Sequence, residues 1–279
     1  MQAPEDRYIK IGEINTRYWM AGDTGPNVVL IHGVGRFLEE WLPSFDALAA
    51  NCRVYALDLP GHGHTDKPLS ASYRLADLAR FVNGFMGALD ISPAHVVGHS
   101  LGGGIALQLT LQFPEAVERL VLVCSAGLGQ EATLVLRITA VPLLGEILTR
   151  PSLNGTRRLL KEFVKDPAFL TDDFVDLSYR MAALPGAQQA VLKTLRSAGN
   201  LFGQYDDTYR PIVDNLGSIE SPVLIIWGRQ DRVLPVAHGQ AAVTRLPNAS
   251  LKILEECGHL PMLEQTQRFN ESILEFLCS

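Results

Sequence analysis

Short apolar runs rich in β-branched residues recur along the chain between turn-forming residues: NVVLIHG, CRVYALDLPG, AHVVGHS, RLVLVCSAG, PVLIIWG and SLKILEECG. Runs of this kind predict strands buried on both faces, and the long segments between them predict that the strands run parallel. Those segments carry the other period. Residues 38–50, 74–89, 101–113, 236–246 and 266–277 space their apolar side chains as one face of a helix does. The opening stretch YIKIGEINTRYWMAG instead alternates and turns at Gly12-Glu13, which predicts an antiparallel hairpin at a sheet edge. The sum is an α/β architecture with about eight strands, mostly parallel and flanked by helices.

The alternation stops near Gln130 and resumes after Asn215, with a helical pattern and no convincing strand between. Residues 1–129 and 216–279 are therefore expected to form one core, and 130–215 a helical insertion. An insertion between two strands of one sheet naturally lies over their carboxyl ends, where open α/β sheets bind ligands, so it is expected to act as a cap. Its most apolar part is EATLVLRITAVPLLGEIL, residues 131–148, where Arg137, Pro142 and Glu146 rule out a membrane span. Those side chains are expected to cover the core, other cap helices, or an acyl-receiving cavity floored by Phe37 and Trp41.

Composition narrows the function classes. The formal charge of −6 on 279 residues comes from mixed acidic and basic positions with no basic run, which disfavours nucleic acid as a partner. Cys52, Cys124, Cys257 and Cys278 are scattered, without the paired spacing of a zinc site or a disulfide framework, and suit a reducing compartment. The first ten residues lack a signal-peptide pattern, so a cytoplasmic protein without a membrane span is expected.

Chemistry concentrates at the carboxyl ends of the predicted strands. Gly98-His99-Ser100-Leu101-Gly102 matches G-x-S-x-G after a strand and before a helix, the context that lifts a serine hydroxyl above the sheet. A hydroxyl needs a base and an orienting acid to become a nucleophile. His259 in CGHLPMLEQ and Asp231 in WGRQDRVLP follow the last two strands and open at the same edge. The chain order Ser100, Asp231, His259 is the order of α/β-hydrolase triads. Asp58 reads better as a turn aspartate bonding local backbone, and the loop after Cys124 offers no carboxylate. The N–H of Leu101, at a helix start, and that of Val34, in HGVG, are candidate oxyanion donors. His32 reads as a structural turn histidine. His62 and His64 form H-x-H without a third ligand at useful spacing, so neither a metal nor a cofactor is expected.

The blocks LIHGVGRFLEEW, YALDLPGHGHTDKP, VVGHSLGGGIALQL, PVLIIWGRQDRVLP and EECGHLPMLE, in that order, resemble the α/β-hydrolase fold superfamily nearly end to end. The resemblance implies a Ser100–His259–Asp231 triad, an oxyanion hole from Val34 and Leu101, and a helical cap. Epoxide hydrolases and haloalkane dehalogenases carry aspartate where Ser100 stands, which sets them aside. The layout is similar to serine hydrolases that cleave carbon–carbon bonds in meta-cleavage products. This chain departs from them at Gly35-Arg36-Phe37-Leu38 and at Leu260, where they have tryptophan; Arg180 or Arg196 could stand for their cap arginine. The expected activity is therefore hydrolysis of a small, largely apolar carboxylic ester or lactone through an acyl-enzyme on Ser100, with Phe37, Trp41 and Leu260 touching the substrate. Carbon–carbon hydrolysis of 2-hydroxy-6-oxo-dienoates is the alternative. A cofactor-free perhydrolase or haloperoxidase and a non-catalytic ligand receptor are further readings of the same fold.

Overall fold

The computed structural model describes residues 3–278. Its strands are β1 (Arg7–Ile11), β2 (Ile14–Ala21), β3 (Asn27–Ile31), β4 (Arg53–Leu57), β5 (Ala94–His99), β6 (Val117–Val123), β7 (Gly199–Asn200), β8 (Gly203–Gln204), β9 (Val223–Gly228) and β10 (Ala249–Leu254). Eight of them form one sheet in the order β1-β2-β4-β3-β5-β6-β9-β10. The hairpin β1–β2 joins antiparallel to β4 at one edge, and every other pairing in this sheet is parallel. Central β5 is buried at every residue, its two histidines included, whereas edge strand β10 alternates until its last residue.

Helix α1 (Leu42–Ala49) packs on α12 (Thr266–Leu277), α2 (Leu75–Ala88) on α3 (Leu101–Gln112), and α10 (Val236–Val243) on β9 and β10. Apolar residues run all round α3 because it is buried on nearly every side, against β5, β6 and α2. All these helices start within a residue or two of their expected positions, except that residues 38–41 form a tighter 3₁₀ turn before α1.

Between β6 and β9 the chain runs through α4 (Leu134–Thr139), α5 (Leu144–Leu148), α6 (Leu153–Phe163), α7 (Asp172–Ala182), α8 (Ala187–Ala198) and α9 (Asp206–Val213). The short ladder β7–β8 interrupts this helical stretch, where no strand was expected. The apolar stretch 131–148 is not one helix. Pro142 lacks the N–H that would continue α4, and Leu143 turns the chain with φ 67° before α5 begins. No helix among the described residues is long and apolar enough to cross a membrane.

Candidate active site

Ser100 joins β5 to α3 with φ 52° and ψ −115°, a conformation that few non-glycine residues hold. Backbone bonds over-determine it: Ser100 N–H donates to Val123 O at 2.9 Å, and Ser100 O accepts from the N–H groups of Ala126 at 2.9 Å and Gly103 at 3.0 Å. The turn also depends on missing side chains. A Cβ on Gly98 would strike Gly102 O, and one on Gly102 would strike Ile31 O. Strain of this kind survives only where neighbours enforce it, and here it sets a hydroxyl at the sheet's carboxyl edge.

The loop after β3 passes directly beside that serine: a Cβ built on Gly33 would lie 3.2 Å from Ser100 Cβ. Next in this loop is Val34. Its N–H and that of Leu101 have no hydrogen-bond partner among the described residues. Leu101 opens α3, where an orphan donor and the positive end of the helix dipole favour a negatively charged oxygen.

His259 Nδ1–H donates to Asp231 Oδ2 at 2.7 Å, and Asp231 Oδ1 accepts from the N–H groups of Val233 at 2.7 Å and Leu234 at 3.0 Å. Burial works to raise the Asp231 carboxyl, but the His259 contact and the two backbone donors outweigh it and hold the group below its ordinary value. With the proton on Nδ1, Nε2 of His259 keeps a lone pair for a base's task. No hydrogen bond joins Ser100 Oγ to His259 Nε2 among the described residues, a contact that often tightens only with substrate.

The link between the two residues runs through His99. Its Nε2–H donates to His259 O at 2.8 Å, and its ring centre lies 4.8 Å from that of His259. Its Nδ1 meets Glu40 Oε1 at 2.8 Å; the same oxygen accepts from Gly33 N–H at 3.3 Å, and Oε2 accepts from Arg36 Nε–H at 3.1 Å. Burial alone would raise the Glu40 carboxyl, yet His99 and Arg36 bring it down to about 2. One buried carboxylate thus ties the Val34 loop to the residue before Ser100. Sequence reasoning missed Glu40 and His99; the only available signal was the histidine inside G-x-S-x-G. It also missed Cys124, whose Sγ lies within 4.8 Å of ligand atoms of Asp231 and His259 and whose thiol burial pushes well above its ordinary value.

A second clamp holds His259 from the inserted segment. His259 N–H donates to Phe163 O at 2.6 Å, and the Phe163 ring stands edge-on to the imidazole at 5.8 Å. Glu264 bridges the same two stretches, accepting from Gly258 N–H at 2.9 Å and Lys165 N–H at 2.6 Å.

A cavity of about 440 Å³ lies between the loops after β3 and β4 and α4–α8, with Val34, Phe37, Phe163 and Met181 in its wall; Ser100, Leu101, Asp231 and His259 are outside that wall, which meets them through their neighbours Val34 and Phe163. Phe37 therefore lies where a substrate-facing residue was expected, but Trp41 and Leu260 do not line this cavity. Trp41 is fully buried and stacks on Phe269, with ring centres 6.5 Å apart. Phe37 precedes the 3₁₀ turn with an extended backbone, whereas Trp41 ends that turn with its ring in the core. Leu260 caps the short helix α11 (Pro261–Glu264) and lines a smaller cavity of about 240 Å³ with Glu40 and Phe174. Arg180 pairs with Asp176 and Arg196 with Glu146, both outside the main cavity's wall.

The arginine in that wall whose guanidinium is buried is Arg36, from the loop after β3. It lies 5.0 Å from the Phe37 ring centre and 4.9 Å from that of Phe174, and Nη1 donates to Ser178 Oγ at 3.3 Å. Its Nη2 is buried without a partner among the described residues. His62, also in the wall, donates Nδ1–H to Pro60 O at 3.0 Å and leaves Nε2 unpartnered; burial brings its pKa down to about 3. His64 is exposed, so the two histidines of H-x-H do not converge. His32 bridges Gly33 O and Leu59 N–H, and Asp58 accepts from Leu38 N–H, His64 N–H and Arg17, the structural parts expected of them.

A family model of the alpha/beta hydrolase fold matches residues 26–266. The chain belongs to this family. Among curated relatives, the hydrolase is 30% identical over 286 aligned residues to a 2-hydroxy-6-oxononadienedioate/2-hydroxy-6-oxononatrienedioate hydrolase of Cupriavidus pinatubonensis, covering 99% of this chain and 96% of the relative. Among solved structures it is similar to a meta-cleavage product hydrolase of Pseudomonas fluorescens IP01, at TM-score 0.84 and 30% identity over 97% of this chain and 96% of the other. A putative lipase of Acinetobacter baumannii AYE gives TM-score 0.85 at 29% identity, over 98% of this chain and 91% of that one.

Proposed function

We propose that this hydrolase cleaves a carboxylic ester or lactone with an apolar acyl part, through an acyl-enzyme on Ser100. The observation that carries the reading is the mostly apolar cavity whose wall includes both Val34, of the candidate oxyanion loop, and Phe163, whose ring and carbonyl hold His259. The inserted segment serves as the cap that closes it. Ser100 Oγ attacks the carbonyl carbon while His259 Nε2 takes its proton, and Asp231 steadies the imidazolium that forms. The tetrahedral oxyanion rests on the N–H groups of Val34 and Leu101. His259 then protonates the leaving alcohol, and a water deprotonated by the same nitrogen releases the acid and restores Ser100.

A second reading, carbon–carbon hydrolysis of a 2-hydroxy-6-oxo-dienoate, is favoured by the unpartnered Nη2 of buried Arg36, which suits a carboxylate in the cavity. The names of the relatives above favour it as well. One panel separates the two: acetyl through decanoyl esters of a single alcohol, lactones, and a dienoate. Under the ester reading kcat/KM climbs about threefold to fourfold per methylene until the cavity is full. A flat or falling ester series together with rapid dienoate cleavage would replace it with the second reading.

A further inference from the structure

The apolar side chains of α4 and α5, expected to be covered, are in large part bare. Leu143 is 79% exposed and Ile147 72%, and Leu134, Leu144, Leu148 and Leu153 are exposed as well. At the turn between β7 and β8, Phe202 is 79% exposed beside Leu201. These residues form one face: α4 packs on α5 and on β7, and Arg137 Nε donates to Leu201 O at 2.5 Å. Bare large apolar side chains gathered on neighbouring elements mark a place where something docks.

Two further observations say what docks. The face runs into the 440 Å³ cavity, because Val135, Leu148 and Leu159 are exposed and also stand in its wall, which reaches the candidate site at Val34 and Phe163. Its charge is opposite to that of the chain. On its own stretch, Leu134 to Leu153, Arg137 and Arg150 stand against Glu146, whose carboxylate Arg196 pairs; farther along α6, Arg158 and Lys161 add to them while Asp172 pairs Arg157, in a protein of formal charge −6. Leucine, isoleucine and phenylalanine tips among basic side chains suit the boundary between anionic headgroups and acyl chains. A second copy meeting this face through the same face would set like charges against each other.

We propose that the face built by α4, α5, the start of α6 and the Leu201-Phe202 tip docks on an anionic lipid surface. There the cavity mouth opens toward the acyl chains. The docking stands apart from the ester chemistry, whereas its use in delivering substrate rests on the ester reading above. Contact of this kind is peripheral, since no described helix spans a bilayer.

The test is co-sedimentation of the full chain with vesicles of equimolar phosphatidylglycerol and phosphatidylcholine, and with phosphatidylcholine alone. Binding is expected to the anionic vesicles, about tenfold or more weaker without phosphatidylglycerol, and weakened by salt. The triple variant Leu143→Ser, Ile147→Ser, Phe202→Ser is expected to lose anionic-vesicle binding by about tenfold or more. It should keep its thermal unfolding and its turnover of a water-soluble short-chain ester, since none of the three lines the cavity. Failure of the parent chain to bind anionic vesicles, or undiminished binding by the triple variant, would overturn the docking. So would sedimentation showing a dimer that the triple variant dissolves, because the face would then be a self-interface. Vesicle binding lost in the triple variant, in a chain that hydrolyses no ester, would leave the docking standing and remove the ester reading.

Discussion

The loops around Ser100 and the segment α4–α5 above the cavity are built on opposite terms. Near the serine, both oxygens of Glu40 and of Asp231 and both ring nitrogens of His99 have partners within 3.3 Å, all nearly inaccessible to solvent. In α4–α5 two short helices break at Pro142, and large apolar side chains face outward. The first arrangement fixes atoms to a fraction of an ångström, as a reacting constellation requires. The second leaves apolar side chains bare on a backbone that Arg196 and Gln188 of α8 pin at Ala140, Val141 and Glu146.

The largest expected effect tests the fixed side of this contrast. Asp231→Asn should lower kcat on whichever substrate of the ester, lactone and dienoate panel is turned over fastest by about ten-thousandfold, because the amide permits the wrong imidazole tautomer. A variant at full speed would mean that another group orients His259.

Next is Glu40→Ala, which leaves Arg36 and His99 buried beside a missing carboxylate and should cost about 3–5 kcal/mol in urea unfolding. A loss under about 1 kcal/mol would show that water or a shifted side chain replaces the carboxylate readily.

A smaller effect concerns pH. Burial brings His32 down to about 4 and His62 to about 3 from an ordinary 6.5. Below pH 6.5 the unfolded chain therefore takes up protons that the folded chain refuses. The stability is fully present above that pH and is lost as pH falls toward those two values, with a slope of up to about 1.4 kcal/mol per pH unit for each group. Urea midpoints at pH 7 and pH 5 measure it, and His62→Gln should flatten the change. An identical slope in that variant would remove His62 from the account.

The smallest effect is expected on the exposed side. Ile147→Ser should shift stability by no more than about 0.5 kcal/mol in the same urea assay. A loss as large as that of Glu40→Ala would erase the contrast between the two regions.

The strands, the Ser100 turn and the Asp231–His259 pair were legible because each depends on local pattern: an apolar run, a glycine-flanked serine, a carboxylate or imidazole just past a strand. Glu40 was not, since it reads as one charged position of the helix expected over 38–50 and its bond to His99 spans 59 positions. Arg36 was hidden for the same reason, its partners lying on α7 as well as in its own loop. Trp41 was misplaced because its partner Phe269, on α12, is far along the chain and no local pattern marks that contact. In α4–α5 the break at Pro142 was readable but the exposure was not, because an apolar pattern says that a side chain seeks cover and not what supplies it.

The bonds from Phe163 O to His259 N–H and from Glu264 to Lys165 N–H bear on how such enzymes exchange parts. A chimera that replaces the whole segment 130–215 with one from another hydrolase keeps the hydrogen bond to His259 N–H only if the incoming chain brings a backbone carbonyl to the place of Phe163 O. Segment swaps meant to change specificity should therefore take their downstream junction before Phe163, leaving residues 163–165 native. Recombinants cut after that point and lacking such a carbonyl are expected to fold with His259 adrift.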